Sequence, residues 1–364
     1  MKVLIISKTL TFHRKGGFET HVTELANRLA ERGHEVDIVC RPLKSIVKTK
    51  FDIYGTKYVG IDIDAVDNIT SIPFFAHKIR TIPKDYDIVH GHGTSAASYL
   101  LSGRTTPFVY TLHGVGERNL AGYNKLLVPL LKIPFDVQKF CLIKADKVIC
   151  QSNSMMKEGP EYYKFNSNKC RMVPSALDTR KFRRKRNDGK HTVGFVGFLH
   201  ERKGIHHLVE AMKQVINEVP DARLVVVGHG NVDKFKKLSG NLGIKKNVTF
   251  VEGANDEELI RLYNSFDVFC LPSQYESFGL AAHEAVAAGT PVVLSKTADF
   301  QQLAKGVGFA LDAGDVDSIA EKITLLLQDE NLRKKYSKNC YRKIKPYDWS
   351  SVIKQIETLY KGLA

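Results

Sequence analysis

The stretch from Pro272 to Val293, PSQYESFGLAAHEAVAAGTPVV, does most to limit what this chain can fold into. It leaves a strand-like run (VFCLP), crosses a polar loop and enters an alanine-rich segment at about Phe278. Gly289 and Pro291 stop that helix, and an apolar strand follows. Glu276 lies just ahead of the helix and Glu284 inside it, with seven residues between them. Were both helical, they would stand roughly 12 Å apart along the axis. The free backbone N–H groups of Phe278, Gly279 and Leu280 would then sit at the positive end of the helix, between two carboxylates. That arrangement suits a ligand with a central diphosphate and a hydroxyl-rich sugar at each end. An ordinary strand–helix–strand unit, with one capping and one solvated glutamate, satisfies the same spacing.

The same punctuation recurs along the chain. KVLIIS (Lys2–Ser7) is a continuous apolar strand of the kind buried in a parallel sheet, followed by a loop ending in Gly16-Gly17 and an amphipathic helix closed by Gly33. The next strand is HEVDIVC (His34–Cys40). The order is Rossmann-like, but G-x-G-x-x-G is missing, so a dinucleotide site is not indicated. Residues 41–86 read as irregular with short strand-like pieces such as KYVGI. The strands DIVH (Asp87–His90) and PFVYTLHG place His92 and His113 at carboxyl ends, where ligands collect in open α/β sheets. His90 and His92 have no carboxylate or thiol nearby in sequence, which argues against metal. An amphipathic helix is expected from about Gly122 to Lys144, its apolar face either packed on the sheet or laid on a membrane.

Length and composition bound the rest. The chain has 364 residues, enough for two α/β domains, with 43% hydrophobic and 26% charged residues. The basic run in Lys181–Arg186 and the Asp-Gly after it mark residues 179–190 as a linker. The expected domains are therefore 1–178, with a terminal helix over 347–364, and 191–346. The opening strand is too short for a secretory signal, and Leu126 to Phe135 is cut by Pro129, Lys132 and Pro134. A cytoplasmic location is expected, with peripheral attachment to the inner face of a membrane left open. Six dispersed cysteines read as reduced packing residues. The net charge of +15 fits an anionic membrane surface, an acidic substrate or simple solubility. No zinc-finger spacing, RNP aromatics or helix-turn-helix supports nucleic acid.

The run Glu276-Ser277-Phe278-Gly279-Leu280, then Glu284-Ala285 and Ala288-Gly289-Thr290-Pro291-Val292, closely resembles the signature of the retaining glycosyltransferases of group 1 (family 4). The resemblance implies the GT-B fold: two Rossmann-like parallel-sheet domains facing across a cleft, with a C-terminal helix crossing back to the first. It implies transfer of a hexose-type sugar from a nucleotide-sugar donor to a glycan or lipid-linked acceptor, in cell-envelope or glycoconjugate synthesis, with no metal or other cofactor. Lys203-Gly204 matches the family's diphosphate lysine, and His113 matches a histidine that reaches the reacting sugar. Glu276 would hold the sugar hydroxyls and Glu284 the ribose. Glu252, Gly253 and Ala254 lie where relatives hold the base. Gly197 and the amides of Phe278, Gly279 and Leu280 complete the donor set. GGFETH (Gly16–His21) resembles the loop placed against donor and acceptor, assigning Gly16 and Gly17 to the donor. Glu19, His21 and His92 fall to the acceptor. A tight turn explains the two glycines equally well.

The chain also departs from the family. Phe198 stands where most relatives carry an arginine, and Arg202 beside Lys203 is the residue that would replace its charge. Ser175-Ala176 replaces a common Asn-Gly, and SKTADF replaces a glycine pair with Pro-Glu. Retention would follow from the leaving phosphate oxygen taking the acceptor's proton on one face; a covalent Glu276 intermediate is the weaker alternative. A nucleotide-sugar epimerase in the same cleft is the competing enzyme, distinguished by acceptor-independent release of an altered sugar. A catalytically silent nucleotide-sugar-binding protein would have lost Glu276, Glu284 or Lys203, and all three are present.

Overall fold

A computed structural model describes residues 1–13, 16–45, 47–57, 64–116, 128–183 and 191–364. The chain divides into two compact units, Met1–Ala176 with Trp349–Ala364, and Leu177–Asp348. Each is built on one parallel sheet.

The first sheet contains β1 (Lys2–Ile6), β2 (Glu35–Cys40), β3 (Asp52–Gly55), β4 (Ile88–His92), β5 (Phe108–Leu112), β6 (Lys147–Cys150) and β7 (Cys170–Met172), in the order β3-β2-β1-β4-β5-β6-β7. Alternation along β1 divides the core in two. Leu4 and Ile6 pack with Ile72, Phe75 and Ile79 on one face. Val3 and Ile5 pack with Val22, Leu25 and Leu29 on the other, where Trp349, Val352, Ile353 and Ile356 of the last helix also lie. Both faces are covered, so the central strands are apolar throughout rather than alternating. The last helix (Trp349–Lys361) is fastened by Glu357, which takes two hydrogen bonds from Arg32 at 2.6 and 2.8 Å and lies 2.9 Å from His34.

The second sheet contains β8 (Thr192–Val196), β9 (Arg223–Val227), β10 (Val248–Val251), β11 (Val268–Leu271), β12 (Val292–Ser295) and β13 (Gly308–Leu311), in the order β10-β9-β8-β11-β12-β13. Strand order reverses between β1 and β4 in one sheet and between β8 and β11 in the other. At each point the connections out of the two neighbouring strands run to opposite faces of their own sheet, so a crevice opens beyond the carboxyl ends there. Both groups of candidate residues stand at these two points.

The structure corrects several local expectations. Residues 41–86 are not merely irregular: β3 pairs in parallel with β2, and Asp64–Thr81 is an 18-residue helix that tolerates Pro73. All of KYVGI except Lys57 lies outside the described residues, as do 122–127 of the helix expected over 122–144; its described part is Val128–Lys144. Within the expected linker, Thr179–Phe182 forms one helical turn, capped by the Asp178 carboxylate accepting the Arg180 N–H at 3.2 Å. Arg183 closes that turn, and Arg184, Lys185, Arg186 and Lys190 lie outside the described residues. Among the described residues, no helix is long and apolar enough to cross a membrane.

Candidate active site

In the second unit, the loop after β8 closes in one 3-10 turn, Glu201–Lys203, opened by His200, whose Nδ1 accepts the Arg202 N–H at 3.2 Å. Gly204 follows with φ 70°, and a Cβ there would lie 2.0 Å from the Pro272 carbonyl oxygen. Only glycine allows that approach. The Arg202 carbonyl also accepts the Gln274 N–H at 2.9 Å, so the loops after β8 and β11 are bound backbone to backbone. This contact brings Lys203 to Glu276: Nζ lies 2.5 Å from Oε1, which also accepts the Ser273 hydroxyl at 2.9 Å. The two side chains are 19% and 9% exposed, so each screens the other's charge in a largely dry setting.

The helix that follows is Leu280–Ala287. It starts two residues later than the sequence suggests, because Gly279 adopts φ 74°, outside the right-handed helix, and a Cβ there would strike the Phe300 ring at 2.3 Å. The first N–H groups of a helix have no intrahelical acceptor, so open donors follow Gly279 directly. Phe278 contributes backbone only: its ring is buried, stacked on His283 at 4.0 Å and 11°. Glu284, on the first full turn, accepts the Tyr263 hydroxyl at 2.7 Å. Burial pushes its carboxyl up to about 7, against the lowering effect of that hydrogen bond.

Other members of the expected donor set stand less close. Gly197 ends β8, bonded to the Val227 carbonyl at 3.0 Å. Glu252 is exposed after β10, two strands from β8. Arg202 is half-buried beside Lys203. Phe198 is 50% exposed and packs edge-on against His229 at 5.2 Å, an aromatic wall in place of the family's usual charge.

In the first unit, the histidines spread over the sequence converge. Nδ1 of His92 and Nε2 of His113 are 3.0 Å apart. His21 lies edge-on to both rings, at 6.0 and 5.5 Å, and tilts over Trp349 at 5.5 Å. His90 is held between Tyr360 and Thr111 hydroxyls, 2.6 Å on either side, and its ring lies 4.3 Å from that of His92. Burial holds all four imidazoles well below their ordinary pKa, His21 to about 4 and His90 to about 3, and His113 additionally feels His21 and His90. They are neutral at pH 7, so they act by hydrogen bonding rather than charge. Among the described residues no group of His, Cys, Asp or Glu has the arrangement of a metal site. Glu19 is buried and accepts the Thr9 hydroxyl at 2.8 Å. Gly16 precedes the helix Gly17–Glu31 in extended conformation, φ −168°, and a Cβ there would lie 2.5 Å from the Glu19 carboxylate.

Sequence reasoning missed one feature. A cavity of about 310 Å³ opens beside His92, lined also by Lys8, Thr9, Phe18, Arg41 and Ser95. Lys8 and Arg41 lie just past the ends of β1 and β2, so the carboxyl-end rule that selected His92 and His113 would have selected them too.

Two family models tile the chain: Glycosyltransferase Family 4 matches residues 15–181, and Glycosyl transferases group 1 matches residues 178–343. Phosphatidyl-myo-inositol mannosyltransferase of Mycolicibacterium smegmatis is 26% identical, over 97% of this chain and 92% of its own. Among solved structures, sucrose-phosphate synthase of Thermosynechococcus elongatus superposes with a TM-score of 0.84 at 22% identity, covering 100% of this chain and 98% of that one. Anabaena HepE in complex with UDP and glucose superposes with a TM-score of 0.79 at 17% identity, covering 100% of both chains. With both sheets and both loop sets accounted for, the chain belongs to the group 1, family 4 glycosyltransferases and has the GT-B fold.

Proposed function

We propose that this glycosyltransferase moves a hexose-type sugar from a nucleotide-sugar donor to a glycan or lipid-linked acceptor, with retention of anomeric configuration, in cell-envelope or glycoconjugate synthesis. The observation that carries the reading is the Lys203–Glu276 pair beside the open amides after Gly279. A cation, a carboxylate and a helix N-terminus stand together, matching a diphosphate joined to a polyhydroxylated ring. HepE, of the same fold, was solved with UDP and glucose.

In the ligand-free chain Lys203 and Glu276 neutralise each other. A bound diphosphate competes for Lys203, and Glu276 then turns its lone pairs to the sugar hydroxyls. The bond from the anomeric carbon to the diphosphate oxygen breaks, and the acceptor oxygen bonds to that carbon on the same face. The departing phosphate oxygen takes the acceptor's proton. Charge growing on the diphosphate is met by Lys203, by Arg202 and by the amides, with no metal required. Glu284 holds the ribose and Glu252 lies towards the base. Neutral His113, fixed by His92, donates or accepts a hydrogen bond at the reacting sugar, while Glu19, His21 and His92 serve the acceptor. The chain works at a membrane surface where its acceptor is lipid-linked.

The test is transfer in excess chelator, with the product's anomeric linkage read by NMR. Retained activity with the donor's configuration is expected. Activity that disappears with EDTA and returns with Mg²⁺ or Mn²⁺ would remove the metal-free mechanism, and an inverted linkage would remove retention.

A further inference from the structure

No motif singles out Gln151, yet the first sheet sets it among the histidines. Leu112 of β5 pairs with Cys150 of β6, so the next position along brings His113 beside Gln151. Ile88, Val109 and Ile149 face the core that holds Val22 and Trp349, and alternation turns His92, His113 and Gln151 to that same side. Gln151 is only 4% exposed there. Its Nε2 lies 3.5 Å from Nε2 of His21, whose Nδ1 lies 3.3 Å from the Ser175 hydroxyl. Gln151 also bonds to His113. Burial holds that imidazole well below its ordinary pKa, and the Gln151 bond works the other way, as a carbonyl oxygen accepting a ring N–H does.

A side-chain amide donates at one end and accepts at the other, and a neutral imidazole has one nitrogen of each kind. His21, His92 and His113 are all kept neutral by burial, so each bond in the row fixes the next. The Gln151 nitrogen donates to Nε2 of His21, which leaves the His21 proton on Nδ1 for Ser175. Before any sugar engages His113, its Nε2 faces Nδ1 of His92 at 3.0 Å. The Gln151 oxygen takes the His113 proton on the other ring nitrogen, so Nε2 of His113 is a lone pair and Nδ1 of His92 donates to it. No proton is left for Nε2 of His92. That nitrogen has no hydrogen-bond partner among the described residues, and its ring is fully buried on the cavity wall. Turning the amide round would reverse every bond and leave a buried N–H there instead. Among backbone groups an orphaned buried N–H is rarer than an under-used acceptor, which favours the direction described.

We infer that Gln151 is a positioning residue: its amide fixes the tautomers of His21, His113 and His92, so that His92 meets the cavity with a lone pair and takes the hydrogen of a substrate hydroxyl. An ionised carboxylate or a phosphodiester brings no hydrogen and is refused at that nitrogen. This rests on the proposed transferase reading, in which His92 serves the acceptor, and names the residue that sets its polarity.

The test labels histidine in the full chain with the heavy nitrogen isotope and reads by NMR which ring nitrogen carries the proton, with signals assigned from His21→Gln, His92→Gln and His113→Gln. The proton is expected on Nδ1 in all three residues. A proton on Nε2 of His92 in the wild type overturns the proposal before any Gln151 variant is made. In Gln151→Leu, His113 and His92 should become mixtures of both tautomers, which lost packing alone would not produce; unchanged tautomers overturn the role of the amide. A carboxylate accepts on both sides, so Gln151→Glu should restore Nδ1 protonation at His113 and His92 and move the His21 proton to Nε2. Transfer is then measured from UDP- and GDP-hexoses to free hexoses, glycerol and vesicles displaying polyol headgroups. Gln151→Leu should raise acceptor KM by roughly two- to tenfold and leave donor KM in place, with Gln151→Glu returning it towards wild type. An acceptor KM that does not move, or donor turnover with none of these hydroxyl compounds accepting, overturns the hydroxyl at His92. Absence of any nucleotide-sugar turnover by the wild type fails the transferase reading instead, while the tautomers still decide the role of Gln151.

Discussion

At the residue scale, Glu276 and Glu284 belong to one short motif but sit in different electrostatic settings. Glu276 is charge-paired with Lys203, and in the proposed mechanism its contacts strengthen as charge develops at the anomeric carbon. Glu276→Gln should therefore depress kcat more than donor affinity. On the same proposal Glu284 holds the ribose and binds ground and transition states nearly equally, so Glu284→Gln should mainly raise donor KM, by roughly ten- to a hundredfold. Identical defects in both variants would sink this division. The carboxyl of Glu284, raised to about 7 by burial, adds a pH signature. If its ionised form accepts the ribose hydroxyls as proposed, donor KM should climb as pH falls below about 7, and the glutamine variant should lose that slope. Stability runs the other way. A carboxyl raised above its ordinary 4.5 favours the folded chain when protonated, and that contribution is lost as pH rises through about 7. Glu284→Gln should raise the ligand-free melting temperature at pH 8 while it weakens the donor. A variant that loses both at pH 8 would show that Glu284 is structural. Lys203→Ala should cut kcat by about 3 kcal/mol, roughly a hundredfold, with Arg202→Ala testing whether its neighbour covers for Phe198. Wild-type turnover in the Arg202 variant would end that role.

At the scale of elements, the strands were legible because long β-branched runs announce buried parallel strands, and the motif loops were legible because they follow them. Asp64–Thr81 was not, because Pro73 and a weak apolar stripe hide a helix whose stability comes from Ile72, Phe75 and Ile79 packing on the sheet. Nor could the pairing of Lys203 with Glu276, 73 positions apart, be read from sequence, since it depends on Gly204 lying against the Pro272 carbonyl. Gly243 offers a control for that contact. It has φ 76°, close to the 70° of Gly204, but nothing lies within 4 Å of an added Cβ. Gly243→Ala should cost about 1–2 kcal/mol, the left-handed penalty alone. Gly204→Ala adds a clash with main-chain atoms that no rotamer relieves, so it should unfold at clearly lower denaturant and lose donor affinity as Lys203 shifts. Equal midpoints for the two variants would mean the loops after β8 and β11 are not locked as described.

At the scale of the whole molecule, the two units have separate cores. One cluster spans Leu177 to Ile344, and two others, on either side of the seven-stranded sheet, draw only on residues up to Ala176 and from Trp349 onwards. The last helix therefore stabilises the first unit although it follows the second in sequence. Its Glu357 is held down to about 2 chiefly by the Arg32 hydrogen bonds, so this fastening is intact above the ordinary carboxylate range and lost as pH falls through about 2. Separate cores make ligand effects separable. A nucleoside diphosphate at one hundred times its Kd stabilises the state that binds it by about 2.7 kcal/mol, which slows exchange through unfolding of that state roughly a hundredfold. With the loops proposed to grip the diphosphate and ribose all in Leu177–Asp348, hydrogen exchange should slow at residues 197–204 and 272–284 and in the core beneath them. Amides of β1, β4 and β5 should keep their rates. Equal slowing in both units would show that they unfold as one body. Slowing confined to the first unit would overturn the assignment of the donor to Lys203, Glu276 and Glu284.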